Sequence, residues 1–342
     1  MEQRFRHGRS GPSLRPFGVS AGVRNRGYSR PLERAITDFG ADVPFGQIPQ
    51  KLQEHHGIEV PSETARQITE KHGARMLEQQ VLETEIPDRP GVAVVVAELD
   101  GSMIPVVRTA EPKPGRDRRS TRQLKWQEAR LALAYRFGSV TPRFGATLGG
   151  PEPAGAHWAD CVIRSGAGQQ TFIHCLGDGA TWIAQQAEQR FGTQARYLID
   201  FSHLSEYLSA AASRCVPDQP QAWLEQQKQH LKENRSEAVL DALAPHLERH
   251  KATADKPAPV QACYRYLDHR PGQFDYQSAL AAGLPIGSGE VESAHRYVIQ
   301  DRLKRAGAWW KEDNAAKLLA LRVVRANHQW ETYWQKPHQK VA

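Results

Sequence analysis

Two acidic side chains occupy positions where a buried sheet would deliver them to a common edge. Asp100 follows the apolar run Val92–Leu99, and Asp178 follows Thr171–Leu176 after a single glycine. Strand ends are where a buried sheet presents side chains to a cleft. Two carboxylates brought together there repel unless a cation neutralises them, and hard oxygen ligands suit Mg²⁺ or Mn²⁺ better than zinc. A third carboxylate would complete a clamp of two ions, one activating the attacking oxygen of a phosphodiester reaction and the other stabilising the leaving oxygen. Pro285-Ile-Gly-Ser-Gly-Glu-Val-Glu-Ser293 offers one. The segment opens as a Gly-rich turn and runs into a helix through Val298 and Leu303, so Glu290 and Glu292 fall in or near its first turn. Residues two apart on a helix point to different sides, so only one faces the aspartates comfortably, and residue type does not choose between them. Acids in a first turn also offset the helix dipole without any metal.

The elements that must hold these acids follow from periodicity. Val92–Leu99 reads as a buried strand, Asp100-Gly101 as a turn, and Met103–Val107 as the returning strand of a hairpin. Ala129–Phe137 alternates through Leu131, Leu133 and Tyr135 as a third strand. A loop rich in Gly and Pro from Gly145 to Gly155 and a short helical stretch precede a fourth strand, Thr171–Leu176. Trp182–Phe191 is helical, Ala195–Ile199 is a fifth strand ending at Asp200, and Phe201–Ala212 is an amphipathic helix with Leu204, Tyr207, Leu208 and Ala211 on one face. The order β, β, β, α, β, α, β, α is that of an α/β protein, and in a ribonuclease-H-like mixed sheet the first and fourth strands are neighbours. Upstream, residues 31–86 read as an all-α module. Leu32, Ile36 and Phe39 share a face, Ile48 and Leu52 follow, Gly57 breaks the pattern, and Pro61-Ser62 caps a third helix. Helix, glycine turn, helix resembles a helix-turn-helix, though plain helical bundles use the same pattern. The expected division is a basic flexible arm over 1–30, the helical module over 31–86, a first part of the core over 91–215, a helical insertion over 216–282 and the rest of the core over 283–335.

At 342 residues, 39% hydrophobic and 24% charged, the chain is long enough for a sizeable core. It has no run of about 18 apolar residues and no apolar signal core, which points to a cytoplasmic protein rather than a membrane or exported one. Cys161, Cys175, Cys215 and Cys263 form no C-x-x-C pair, so reduced, buried thiols are expected. The formal net charge of +7 and pI near 9.3 favour a polyanionic partner. Beyond the glutamates, Arg296, Arg302, Lys304 and Arg305 interleave with Tyr297, Trp309 and Trp310, a mixture able to neutralise phosphates and stack on bases. The tryptophans fit a core equally well. Asp200 fits a helix N-cap and His203 a helix-start histidine.

Leu99-Asp-Gly-Ser-Met103, Trp126-Gln-Glu128, Leu176-Gly-Asp-Gly-Ala-Thr-Trp182, Asp200-Phe-Ser-His203, Leu284 to Ser293 and Arg302 to Trp309, in this order, resemble bacterial insertion-sequence transposases. More narrowly they are similar to the ISKra-type group, related to Mutator-like DDE enzymes, over about Phe17 to Trp334. The resemblance implies a ribonuclease-H-like core in which Asp100, Asp178 and Glu292 hold two Mg²⁺ ions, with Glu290 as the fallback third ligand. It implies that water cleaves the element's terminal inverted repeat and that the freed 3′ hydroxyl attacks target DNA, in a homo-oligomer on paired ends. It also implies a helical insertion before the glutamate, and DNA handling near the site by Asp200 and His203, which match an Asp-x-x-His signature. Relatives of this kind often carry a cysteine-bearing zinc module upstream, where Tyr28-Ser-Arg30 here runs straight into Pro31, so an upstream half is expected to be missing. Rival expectations are a non-catalytic DNA-binding regulator and a nuclease of the same fold that cuts without joining.

Overall fold

A computed structural model describes residues 27–110, 117, 121–247 and 258–335, together with 5–6, 13–14 and 16. Most of the basic arm expected over 1–30, and most of the stretch from Lys113 to Arg122, lie outside the described residues. Phe5–Arg6 pairs with Ser13–Leu14 as a short antiparallel ribbon. The chain divides into two compact units. A sheet unit takes in Val81–Met103 and Glu128–Arg296, and a helical unit takes in Met1–Gln80, Ile104–Gln127 and Tyr297–Ala342.

Five strands form one mixed sheet: β1 (Val94–Thr109), β2 (Arg122–Arg136), β3 (Arg143–Thr147), β4 (Phe172–Gly177) and β5 (Ala195–Ile199), in the order β3-β2-β1-β4-β5. β2 and β3 run antiparallel, whereas β1, β4 and β5 are parallel, the crossovers being the helices α4 (Pro151–Arg164) and α5 (Thr181–Phe191). Alternation sends Val95, Ala97, Leu99, Ile173 and Cys175 to one face, where they pack on Trp158 and Val162 of α4 and Ile183 and Phe191 of α5. Val96, Leu176 and Leu198 point to the other face, beneath Leu204 and Leu208 of α6 (Phe201–Cys215). The same core takes in Leu231 of α7 (Pro220–Lys232), Val239 and Leu243 of α8 (Ser236–Leu243), and Cys263 and Tyr266 of α9 (Pro259–Asp268). α10 (Tyr276–Ala281) and α11 (Gly289–Ala294) follow. All four cysteines are buried and unbridged.

The count of five strands agrees with expectation, but two of its parts do not. The expected hairpin at Asp100-Gly101 does not form, and one 16-residue strand runs from Val94 to Thr109 through both residues. Gly101 serves close approach rather than a turn, since a Cβ there would collide with the Glu128 carboxylate reaching across from β2. The missing strand reappears as β3 (Arg143–Thr147), which overlaps the start of what read as a Gly/Pro loop from Gly145. Its Gly145 leaves room for His157 of α4, a packing need that imitates a loop in the sequence.

In the helical unit, α1 (Arg30–Asp42), α2 (Ile48–His56) and α3 (Ser62–Glu78) enclose Ile36, Ile48, Leu52, Val60, Ala65 and Ile68. Gly57 ends α2 in the left-handed conformation at φ 65°, which costs a residue with a Cβ and not glycine. A π-helical turn, His295–Gln300, and α12 (Asp301–Leu303) lead to α13 (Glu312–Ala326) and α14 (Trp330–Gln335). Gly73 of α3 lies against the Lys317 backbone of α13, so the N-terminal and C-terminal helices share one packed body. Among the described residues no helix is long and apolar enough to cross a membrane.

Candidate carboxylate site

β1 and β4 are in register from Val94↔Phe172 to Glu98↔Leu176, and β4 and β5 as far as Gly177↔Ile199. Carried past these paired residues, the two registers bring Asp100, Asp178 and Asp200 level in one row, Asp100 inside β1 and Asp178 and Asp200 just beyond β4 and β5. Residues two apart on a strand share a face, so the row continues the side occupied by Val96, Glu98, Leu176 and Leu198.

Each acid is held differently. Asp178 starts the loop after β4, and its Oδ1 accepts from the Ala180 N–H at 2.8 Å. Tyr266 of α9 donates its hydroxyl to the Asp178 carbonyl at 2.6 Å, and Arg270 Nε donates to the Gly179 carbonyl at 2.7 Å. Gly179, at φ +82°, leaves no room for a Cβ against that tyrosine hydroxyl. Asp200 is buried and caps α6, its Oδ1 accepting from the His203 N–H at 2.8 Å. Its other oxygen accepts from both the N–H and the hydroxyl of Ser288, in the Gly-Ser-Gly turn. Asp200 therefore acts by holding two loops and does not reach solvent.

Glu98, which sequence reasoning passed over as part of an apolar run, is 1% exposed. Its Oε2 accepts from the Val291 N–H at 2.8 Å. Burial is the largest influence and pushes its pKa up to about 8, with Glu290 and Asp200 adding to the rise against the opposing Val291 N–H and Tyr135. Two buried acids of the sheet thus satisfy N–H groups at the start of α11, where the chain has no earlier turn to supply acceptors. The acids of α11 face different neighbours. Glu290 acts electrostatically on Glu98 and Tyr135, whereas Glu292 is raised in pKa by burial first and then by Asp200, Asp100 and Glu206, with His203 opposing. The π-helical turn after α11 carries His295, buried, with Nε2 at 3.1 Å from Asp100 Oδ2 but out of line for a hydrogen bond. Glu98 and His295 are the site residues that the sequence did not announce. An acid inside an apolar strand was the available signal for the first, and the position just past Glu292 gave none for the second.

Among the described residues no three His, Cys, Asp or Glu side chains converge closely enough to ligate one metal ion. The Asp100 carboxyl lies against His295 and that of Asp178 accepts from the Ala180 N–H.

The basic residues separate. Arg296, Lys304 and Arg305 are exposed. Arg302, expected on DNA, is 2% exposed. Its guanidinium lies 4.8 Å from the Phe45 ring centre and 4.7 Å from that of Trp310, and its Nε donates to the Gly40 carbonyl at 3.0 Å. Burial draws its pKa down to about 10. It is a packed core cation, and no phosphate can reach it. His203 is half-buried, edge-on to Tyr207 and tilted against Tyr266. Trp310 is core, while Trp309 is 53% exposed.

Fold and site together define a mixed α/β protein with one aspartate inside a central parallel strand and two just past its neighbours, near an acidic helix start. The chain belongs to the Uncharacterised protein family UPF0236, whose pattern matches residues 162–336 and so takes in Asp178, Asp200, His203, Glu290 and Glu292. No curated protein matches it. Among solved structures it is similar to the Drosophila P element transposase strand transfer complex, with TM-score 0.32 and 9% identity, over 93% of this chain and 83% of that chain. An overlap that loose decides neither fold nor mechanism.

Proposed function

We propose that this chain is an insertion-sequence DNA transposase of the DDE type, with a ribonuclease-H-like core related to the ISKra-type and Mutator-like enzymes. The observation that supports the proposal is the parallel pairing of β1 with β4 up to Glu98↔Leu176, two residues before Asp100 and Asp178, with the start of α11 tied by Glu98 and Asp200. The first and fourth strands are neighbours, as that core requires. Glu292 is preferred to Glu290 as the third acid because Asp100 is among the charges that act on it.

Asp100, Asp178 and Glu292 are hard oxygen donors that no lysine or arginine bridges among the described residues, a donor set suited to two Mg²⁺ or Mn²⁺ ions. Such ions supply activation of an attacking oxygen and stabilisation of a leaving one. Glu98 and Asp200 are positioning residues that fix where Glu292 enters. Arg296, Lys304 and Arg305 neutralise backbone phosphates, His203 stands beside Glu292, and the helix–glycine–helix segment α2–α3 reads the element's ends. The partners are the terminal inverted repeats, target DNA and further copies of the chain.

The test is Mg²⁺-dependent cutting and joining of the duplex that borders the protein's own gene. Parent protein is expected to cut and join, and Asp178→Asn and Glu292→Gln to lose both by at least about a hundredfold while still binding. Glu290→Gln keeps activity. Binding without cutting by the parent overturns the catalytic assignment, and cutting without joining reduces it to a nuclease.

A further inference from the structure

The motif Trp126-Gln-Glu128 finds no role in the carboxylate chemistry. Within the helical unit, Arg122 to Trp126 of β2 are all exposed, on both faces of the strand. Strands usually bury at least one face, and a free one bearing large apolar groups is costly to leave bare. Alternation puts Arg122, Leu124 and Trp126 on one side. Leu124 and Trp126 are each 51% exposed. At the Arg122 end the row continues into Trp309, whose ring centre lies 5.1 Å from the Arg122 guanidinium. Trp309 is held firmly, because Trp310 next to it is stitched to β1, accepting from the Val107 N–H at 2.7 Å and donating to the Pro105 carbonyl at 3.3 Å. The result is a fixed line of ring, cation, apolar side chain and ring.

Its length and charge identify the occupant. From residue 122 to 126 a strand advances about 13 Å, room for roughly four bases at about 3.4 Å each. Lys125 flanks the strand, and Lys304, Arg305 and Lys311 are exposed on the chain segment that bears Trp309, while Glu312 is paired with Arg108. Protein interfaces thin out charge at their centre, whereas this surface places a cation between its two rings. Rings interleaved with cations suit stacked bases and the phosphates that join them.

We propose that the exposed half of β2, with Trp309, is a stacking platform for unpaired DNA, gripping a short single strand between Trp126 and Trp309. It rests on the proposed function only in taking DNA as the partner, not in any cutting chemistry. The experiment measures binding of the full chain, in chelator, to a fluorescent thymine-only oligonucleotide and to a blunt duplex. Single-strand affinity is expected to fall about tenfold in Trp126→Ala and in Trp309→Ala, with duplex affinity and melting temperature unchanged. Trp126→Phe should restore most of it, Arg122→Ala should weaken both ligands, and the parent's tryptophan fluorescence should be quenched by the oligonucleotide. Asp178→Asn, which removes cutting if the catalytic assignment holds, should keep the single-strand binding intact, so the two ideas fail separately. Unchanged single-strand affinity in both tryptophan variants overturns the platform. Equal losses for both ligands make it a plain phosphate surface, and a shift from dimer to monomer in Trp126→Ala assigns the face to a second copy of the chain.

Discussion

Two acid clusters, one around Glu33 in the helical unit and one around Glu98 and Glu292 in the sheet unit, live under opposite regimes. In the helical unit Glu33 receives Lys71 and sits 3.0 Å from His72 Nε2, whose other ring nitrogen is 2.7 Å from the Tyr333 hydroxyl. Burial alone would raise the Glu33 pKa, but His72 and Lys71 overcome it and hold the carboxyl down at about 2. Asp42 is likewise gripped by Arg322 and Arg325. In the sheet unit, Glu98 and Glu292 face other acids and both titrate high, with His203 and His295 as the nearby bases. Paired acids stabilise a fold, whereas like charges left together weaken it and are kept where something else is to neutralise them.

Three substitutions can break or sharpen that contrast. The largest effect is expected at Glu98, which with Asp200 holds the start of α11. Glu98→Ala strips the Val291 N–H of its acceptor and should cost about 2–3 kcal/mol in urea unfolding, whereas Glu98→Gln keeps an acceptor and should cost less than about 1 kcal/mol. If the two variants unfold alike, α11 does not depend on that bond. Next comes Glu33→Gln, expected to lose about 2 kcal/mol at neutral pH by removing a half-buried paired charge. Because the folded pKa lies below the ordinary 4.5, the stabilisation is present above pH 4.5 and fades as pH falls toward 2, so parent and variant should converge there in pH-dependent melts. A gap that does not change with pH removes the ionic explanation. Smallest, and opposite in sign, Glu292→Gln should raise stability by a few tenths to about 1 kcal/mol, discounted for exposure. Its pKa is raised by burial first and by neighbouring acids second, so the penalty on its charged form is present at neutral pH and disappears in acid, and Mg²⁺ should raise the parent's melting temperature more than the variant's. A Glu292→Gln variant less stable than the parent would show that the acid is compensated after all.

Much of the sheet unit was legible because its signals are local. Ala195–Ile199 was bounded correctly from sequence, and Phe172–Gly177 and Thr181–Phe191 within a residue, since β-branched runs and 3.6-residue spacing are written along the chain. Asp100-Gly101 misled because a glycine that admits Glu128 looks the same as one that turns the chain. Arg302 misled for a related reason: a basic run is solvated by default, and only the rings of Phe45 and Trp310, distant in sequence, make burial of one cation tolerable.

By itself, the sequence determined that Asp178 and Asp200 stand just past strand ends and that a glycine-rich turn starts the helix bearing Glu290 and Glu292. Those are properties of neighbouring residues. Only the tertiary structure decided that Asp100, Asp178 and Asp200 fall in one row, that Glu98 and Asp200 serve α11 rather than solvent, that His295 closes on Asp100 and that Trp309 stays out while Trp310 goes in. Strand register and helix docking are fixed by contacts between segments far apart in the chain, and no local period records them.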